Sequence, residues 1–333
     1  GHTSVVFTYL DGETEIAKEQ IVISAGYAAA DTDTVRAEKA NTPLTVSESE
    51  GRVIVAFQNG FLRFNYKTGE MESYIYHSKE LLNQIPLGNE RGFQPSLYRA
   101  PLDNDMYLKY VWHKEGLNHI SWIKKKCAYE QTGDTVVISA VYRLKTCSYR
   151  NAGTFKVKYT INALGRIAVD YSYKNLVFKL VPRLGMLVEM PKTYSNITYF
   201  GCDAESLSDF KEHAVIRRVT TNVDAMHTPY IKPQESGMRY NTFYAQVTDE
   251  NGTGFRFESE TPFVFNANPY NAEQISKATH KEDLLKYDTT NVQIDGYMLG
   301  AGSNACGPIP TKAHRKVMVR SYSHSFVVTP LGD

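Results

Sequence analysis

Residues 52–65 read RVIVAFQNGFLRFN. Apolar and polar side chains alternate on both sides of Asn59-Gly60. That alternation is the signature of a strand with one buried face, and Asn-Gly supplies the two positive-φ residues of a tight hairpin turn. The texture extends over 44–77, where Lys67-Thr68-Gly69 marks a second turn. It returns in TVVISAVYRLK (135–145), GTFKVKYTINALGRIAVDYSYKN (153–175), NTFYAQVTDENGTGFRFES (241–259) and HRKVMVRSYSHSFVVTP (314–330). Paired strands joined by Gly or Asn turns predict an all-β chain, a large antiparallel sandwich with long decorated connections. Helix is expected in only two places. NAEQISKATHKEDLL (271–285) has Asn271 as its N-cap, and a short helix is expected over 109–116.

The chain has 333 residues, enough for one large β domain with an appendage. It is 42% hydrophobic, and 37 Lys plus Arg balance 36 Asp plus Glu. That composition suits a globular protein with a substantial core and gives no electrostatic reason to expect a nucleic-acid or membrane partner. No apolar run approaches the ~20 residues needed to span a bilayer. The 23 Tyr and 15 Phe suit pleated, half-buried surfaces. Cys127, Cys147, Cys202 and Cys306 lack metal-ligand spacing, and buried free thiols are expected, with a disulfide left open.

VVFTYL and KEQIVIS within 5–24 read as two strands around a polar loop. Two strands cannot bury a core alone. Residues 1–25 are therefore expected to be the remnant of a preceding domain, 26–43 a small, polar linker, and 44–333 the main domain. The start lacks Met and a signal peptide, and we expect an expression scar or a cut from a longer chain. Cytoplasm and periplasm both remain open.

Chemistry-bearing motifs are sparse. There is no GxSxG elbow, no HExxH and no phosphate-cradling loop. NGTGF (251–255) reads as a hairpin turn, and His280 as a surface or capping residue. The best-placed carboxylates are Asp103, Asp105, Glu205, Asp209, Glu235 and Asp295. The densest cluster is RAPLDNDM (99–106). Asp103-Asn104-Asp105 offers oxygens to a metal, but bonding to turn amides is the commoner use of these residues, and no metal site is expected. Arg99 with the 103–105 triplet is expected to brace a turn, the fork of an Arg holding a carboxylate with geometric precision.

RAPLDNDM, with Trp112 and Gly116-Leu117 following, resembles the C-terminal domain of glycoside hydrolase family two β-galactosidases, where Arg-Ala-Pro-x-Asp-Asn-Asp is typical. The resemblance continues in order. YFGCDAESLSDFKEHAVI (199–216) is similar to the family's Gly-x-Gly-Pro-x-Glu segment. TPYIKPQESGMR (228–239) matches Tyr-x-x-Pro-Gln-Glu-x-Gly-x-Arg. IDGYMLGAGSNACGP (294–308) resembles Asp-x-x-x-x-Gly-x-Gly, and SYSHSFVVTP (321–330) the closing strand. The chain departs from the pattern at Gly201-Cys202-Asp203-Ala204, at Asp209-Phe210, and at Asn304-Ala305-Cys306-Gly307, where some members place a Trp against galactose.

The resemblance implies a galactose-mutarotase-like β-supersandwich preceded by the end of an immunoglobulin-like domain. It also implies that the catalytic residues, two glutamates performing retaining hydrolysis of β-galactosides, lie on a separate TIM barrel. No catalytic residue is then expected in this chain. Asn304, Cys306 and Gly307 would be substrate-edge contacts, and Arg99, Asp103, Asn104 and Asp105 would stand near the site. No cofactor is expected here; any Mg or Na would sit in the barrel. The partners implied are the remaining domains of the parent, a β-galactoside and copies of the parent in a homo-oligomer. Two other readings stay open: a free-standing carbohydrate-binding module, and an aldose 1-epimerase, which needs an acid and base pair that the sequence does not single out.

Overall fold

The computed structural model describes residues 2–25, 27, 29–84, 92–302 and 309–332. The described residues form three antiparallel sheets. β1 (His2–Asp11) and β2 (Thr14–Ala25) form a hairpin by themselves. A short helix, α1 (Thr32–Ala37), follows. The five-stranded meander comprises β3 (Thr45–Ser49), β4 (Arg52–Phe57), β5 (Gly60–Asn65), β6 (Glu70–Tyr76) and β7 (Lys79–Glu80). The hairpin loop is Gln58-Asn59 rather than the expected Asn59-Gly60: Asn59 takes φ of 67°, while Gly60 opens β5 opposite Phe57 and is not among the positive-φ residues.

The large sheet begins with β8 (Phe93–Ser96). After α2 (Leu108–Glu115) come β9 (Ser121–Thr132), β10 (Thr135–Lys145), β11 (Gly153–Asn162), β12 (Ile167–Lys174), β13 (Arg183–Pro191), β14 (Asn196–Cys202) and β15 (Ile216–Asn222). After α3 (Val223–Met226) come β16 (Arg239–Thr248) and β17 (Gly254–Asn268). After α4 (Ala272–Lys277) come β18 (Thr289–Met298) and β19 (Ser321–Leu331).

The long strand β17 makes this sheet branch. Its first part, Gly254–Glu258, pairs with β19 and leads to β12, β11, β10 and β9. Its last part, Val264–Asn268, pairs with β18 and leads to β13 and β8. The meander covers the sheet through a continuous apolar core, where Phe64 meets Tyr159 and Tyr74 meets Phe255 edge-on. The predicted all-β supersandwich is the observed architecture.

Local departures have physical causes. The segment expected as a linker is docked. Asp31 caps α1, accepting from the Thr34 amide at 2.7 Å, and Val35 is buried between Ala168 and Val327. Tyr27 lies between Arg256 and Glu258 and bonds both. The helix expected over 271–285 stops at Lys277. Asn271 forms a capping box with Gln274, but the Asp283 carboxylate draws the Thr279 and His280 amides into a separate 3-10 turn. Residues 314–320 were expected to be strand, yet β19 begins at Ser321, because Met318 takes φ of 49°. Pro330 lies inside β19, where its neighbour β12 has already ended. Of the described cysteines, all free, only Cys202 is buried; Cys127 is half-buried and Cys147 exposed.

The capping box gives a direct check of the short α4. Asn271→Ala removes the acceptor for the Gln274 amide. It should cost about 1 kcal/mol in urea unfolding, while Glu273→Ala on the same exposed turn should cost less than about half that.

Candidate functional site

α2 ends at Gly116, whose φ of 73° terminates the helix in the left-handed region that glycine accepts without penalty. Above it Trp112 is fully buried, with the Arg99 guanidinium 5.5 Å from its ring. From this platform RAPLDNDM spreads its polar groups in three directions. Arg99 grips Asp105 through two bonds, at 2.5 and 3.3 Å, with both side chains sealed from solvent. Asp105 also accepts from the Leu102 amide at 2.8 Å and closes the turn. Asp103 and Gln234 bond reciprocally, at 3.0 and 3.1 Å. Asn104 donates to the Gly302 carbonyl at 3.2 Å. The triplet's oxygens diverge and do not fit a single cation.

A second buried arginine joins this turn to the sheet. Arg183, the first residue of β13, donates to Glu235 at 2.7 Å and to the Tyr98 carbonyl at 3.2 Å. The other Glu235 oxygen accepts from the Ala100 amide at 3.0 Å. Asp295 stands 3.0 Å from the Arg183 Nε, without hydrogen-bond alignment. It fits there because the facing residue on β13 is Gly185, whose missing Cβ leaves room for the carboxylate. Burial pushes the Asp295 carboxyl up to about 7, and neighbouring Glu235 adds to the effect while Arg183 opposes it.

The remaining carboxylates hold loops. Glu205 accepts from the Gly237 amide at 2.8 Å and from Thr228 at 3.0 Å. Asp209 accepts from the Ala301 and Gly302 amides at 3.0 and 2.8 Å. Gly302 is thus held from two sides, by Asn104 and Asp209, where the chain enters 303–308. Asn304, Cys306 and Gly307, the expected substrate-edge contacts, lie outside the described residues.

Of the six singled-out carboxylates, the structure gathers Asp105, Glu235 and Asp295 around two arginines and spreads the others over neighbouring loops. Arg183 was missed in the sequence. Its signal is a lone charge in the apolar run VPRLGMLV (181–188), where a buried strand must give it partners. Among the described residues no group of His, Cys, Asp or Glu is arranged to hold a metal, and no helix is long and apolar enough to cross a membrane.

Comparisons with known proteins agree with this convergence of motifs. A family model described as "Beta galactosidase small chain" matches residues 58–328. The chain is 27% identical over 326 residues to a β-galactosidase of Priestia megaterium, covering 95% of this chain and 30% of that protein. It is 27% identical over 257 residues to a β-galactosidase of Actinobacillus pleuropneumoniae, covering 75% of this chain and 25% of that one. The chain thus spans under a third of the length of these curated relatives. Among solved structures, the GalM/aldose epimerase homologue of C. elegans is similar with a TM-score of 0.49 and 8% identity, over 86% of this chain and 100% of that one. At that score and identity it bears on neither substrate nor mechanism.

Two predictions follow from the buried charges. Asp105→Ala leaves Arg99 buried without its carboxylate and should cost about 3–5 kcal/mol in urea unfolding, against less than about 1 kcal/mol for the exposed Asp103→Ala. The second concerns pH. With its carboxyl at about 7 when folded and 3.8 ordinarily, Asp295 keeps a proton in the native state that the unfolded chain releases. Its contribution is full below about 4 and is lost as pH rises to about 7. His324 acts oppositely: burial holds its imidazole near 4, so its contribution is lost as pH falls from 6.5 toward 4. The stability of wild type relative to Asp295→Asn should therefore decline steadily from pH 4 to 7. A pH-independent difference would show that Asp295 does not titrate in this window.

Proposed function

The chain belongs to the β-galactosidase small-chain family, and we propose that it is the non-catalytic C-terminal part of a glycoside hydrolase family two β-galactosidase. In this reading the parent performs retaining hydrolysis of terminal β-D-galactosides. This part braces one wall of the active-site mouth against the barrel. The observation that carries the reading is the double hold on Gly302. Asn104 from the 99–106 turn and Asp209 from the 199–216 segment fix the entrance to 303–308, where Asn304, Cys306 and Gly307 are the proposed substrate-edge contacts.

The carboxylates of the buried cluster support the non-catalytic role. Retaining hydrolysis needs two carboxyl groups about 5–5.5 Å apart, facing the scissile bond. Asp105, Glu235 and Asp295 are instead buried against Arg99 and Arg183. Such groups organise a turn; they are not placed to protonate a leaving group or attack an anomeric carbon. Any Mg or Na requirement belongs to the barrel in this reading.

The β1–β2 hairpin supports attachment to a larger protein. Val5, Phe7, Leu10, Ile16, Ile21 and Ile23 are all more than 40% exposed on a two-stranded sheet. Apolar surface of this kind on so small a sheet calls for a covering layer. The rest of an immunoglobulin-like sandwich supplies one. The hairpin's hold on this chain is narrow: Gln20 exchanges two hydrogen bonds with the Ile216 backbone, and His2 rests edge-on against Phe200.

Complementation tests the reading. This chain, a separately produced remainder of the parent, and their mixture are assayed for hydrolysis of a nitrophenyl β-galactoside. The chain alone should be inactive and the mixture active. In the full-length parent, Asn104→Ala combined with Asp209→Ala should lower kcat/KM about tenfold or more through the loosened wall. Hydrolysis by this chain alone, or full activity of the remainder without it, would sink the proposal.

A further inference from the structure

We propose that the polar face of the branched sheet, beside the Arg183–Glu235 bridge, is a binding site for a neutral saccharide. The inference stands on this cleft's own geometry and holds whether or not the parent is a galactosidase.

β8, β13, β18 and β17 lie side by side, and their residues alternate between two faces. Met186, Val188, Val292, Ile294, Phe265 and Ala267 enter the core. On the opposite face the register sets Gln94, Leu187, Gln293 and Asn266 in one row across the four strands. Glu189, Asn291 and Asn268 make the next row. These rows floor a cleft with a volume of about 480 Å³, within the size range of small-ligand sites. Tyr98, Trp122 and Tyr270 stand around it.

The chemistry of the floor selects the ligand. A carboxamide does not ionise, and it offers both donors and an acceptor, the complement of a hydroxyl. Five of them converge here: Gln94, Gln293, Asn266, Asn268 and Asn291. The charges at the edge are spent on each other, because Arg183 is paired with Glu235. Glu189 is already engaged within the protein. A charged ligand therefore finds no unpaired counter-charge in these rows, whereas a ligand rich in hydroxyls finds many partners.

The amides also keep acceptor capacity in reserve. Asn266 donates to the Ser236 carbonyl at 2.8 Å and Asn291 to the Asn268 carbonyl at 3.2 Å. The side-chain oxygens of Asn266, Asn291 and Gln293 have no partner in the protein. They are shielded from solvent, so meeting a ligand hydroxyl takes a turn of the terminal amide torsion, which is soft and, at Asn266 and Asn291, exchanges the bond donated to backbone for the ligand's. The aromatic rings add apolar walls against which the C–H faces of a sugar ring can rest.

The test titrates the ¹⁵N-labelled 333-residue chain separately with galactose, glucose, mannose, lactose and, as a cationic control, choline. The side-chain amide signals of Asn266, Asn291 and Gln293 are followed. Saturable shifts of these signals with at least one saccharide, and none with choline, are expected. Gln293→Leu, which is one atom shorter and removes the hydrogen bonds while keeping an apolar branched end, should weaken that saccharide about tenfold or more, a loss of about 1.4 kcal/mol. The proposal is overturned if none of the four sugars gives saturable shifts, if the shifts map away from the cleft, or if choline alone binds. Mapping on the wild-type chain decides the matter even if Gln293→Leu fails to fold. Sugar binding without hydrolysis in the complementation assay would separate this site from the galactosidase reading.

Discussion

The ionic bridge from Arg183 through Glu235 to the Ala100 amide ties three parts of the chain that are distant in sequence. β13 supplies the arginine, the 228–239 segment the carboxylate, and RAPLDNDM the backbone donor. The strand is placed by its sheet, but the other two segments are not regular enough to place themselves. The 99–106 turn is an irregular stretch through Pro101 that runs into one 3-10 turn at Asp103–Asp105, and 228–238 is irregular. Both depend on a bond network to hold one geometry. Arg183 suits this task because its planar fork serves Glu235 and the Tyr98 carbonyl at once, while its Nε faces Asp295.

Buried ion pairs are poor sources of net stability, because the cost of removing charges from water offsets most of their attraction. Asp295 shows that cost directly: its carboxyl is pushed up to about 7 beside an arginine. Two arginines and three carboxylates sealed at this junction therefore make more sense as devices for uniqueness than as glue. An apolar junction of similar volume would fill the space. It would not specify which amide faces which oxygen, or hold Gly302 at a set distance from Asp209. That specification is what the proposed role, a wall beside an active-site mouth, would require.

Much of this was legible in the residues, to different depths. Period-two alternation around Asn59-Gly60 and in 135–145 and 153–175 marked strands that the structure contains. Asn271 marked its cap. The limits of the strands were less legible, since they depend on a single backbone angle at Met318 or on where β12 stops beside Pro330. The docking of 26–43 was illegible for another reason. Small polar composition reports what a segment can do alone, not that Val35 finds a socket between Ala168 and Val327. At the site, the spacing in RAPLDNDM showed that Arg99 could fork onto a carboxylate. It did not show that Asp105 is the partner while Asp103 turns to Gln234, 131 residues away. Register across β8, β13, β18 and β17 alone turns scattered Asn and Gln into a floor.

That floor raises a question of economy. β17 and β18 each give one face to the apolar core, with Phe265 and Ile294 fully buried, and the other to Asn266 and Gln293. A second apolar face would drive these strands into another layer, and a face of lysines and glutamates would be solvated and featureless. Carboxamides do neither. They need partners but carry no charge, so they keep a concave surface wet, neutral and selective. The Arg183–Glu235 bridge closes one end of that surface and also fixes the 99–106 turn. The same bond network therefore positions the entrance to 303–308 and shapes the cleft, so a change at Glu235 would disturb both together, whereas a change at Gln293 would reach only the cleft.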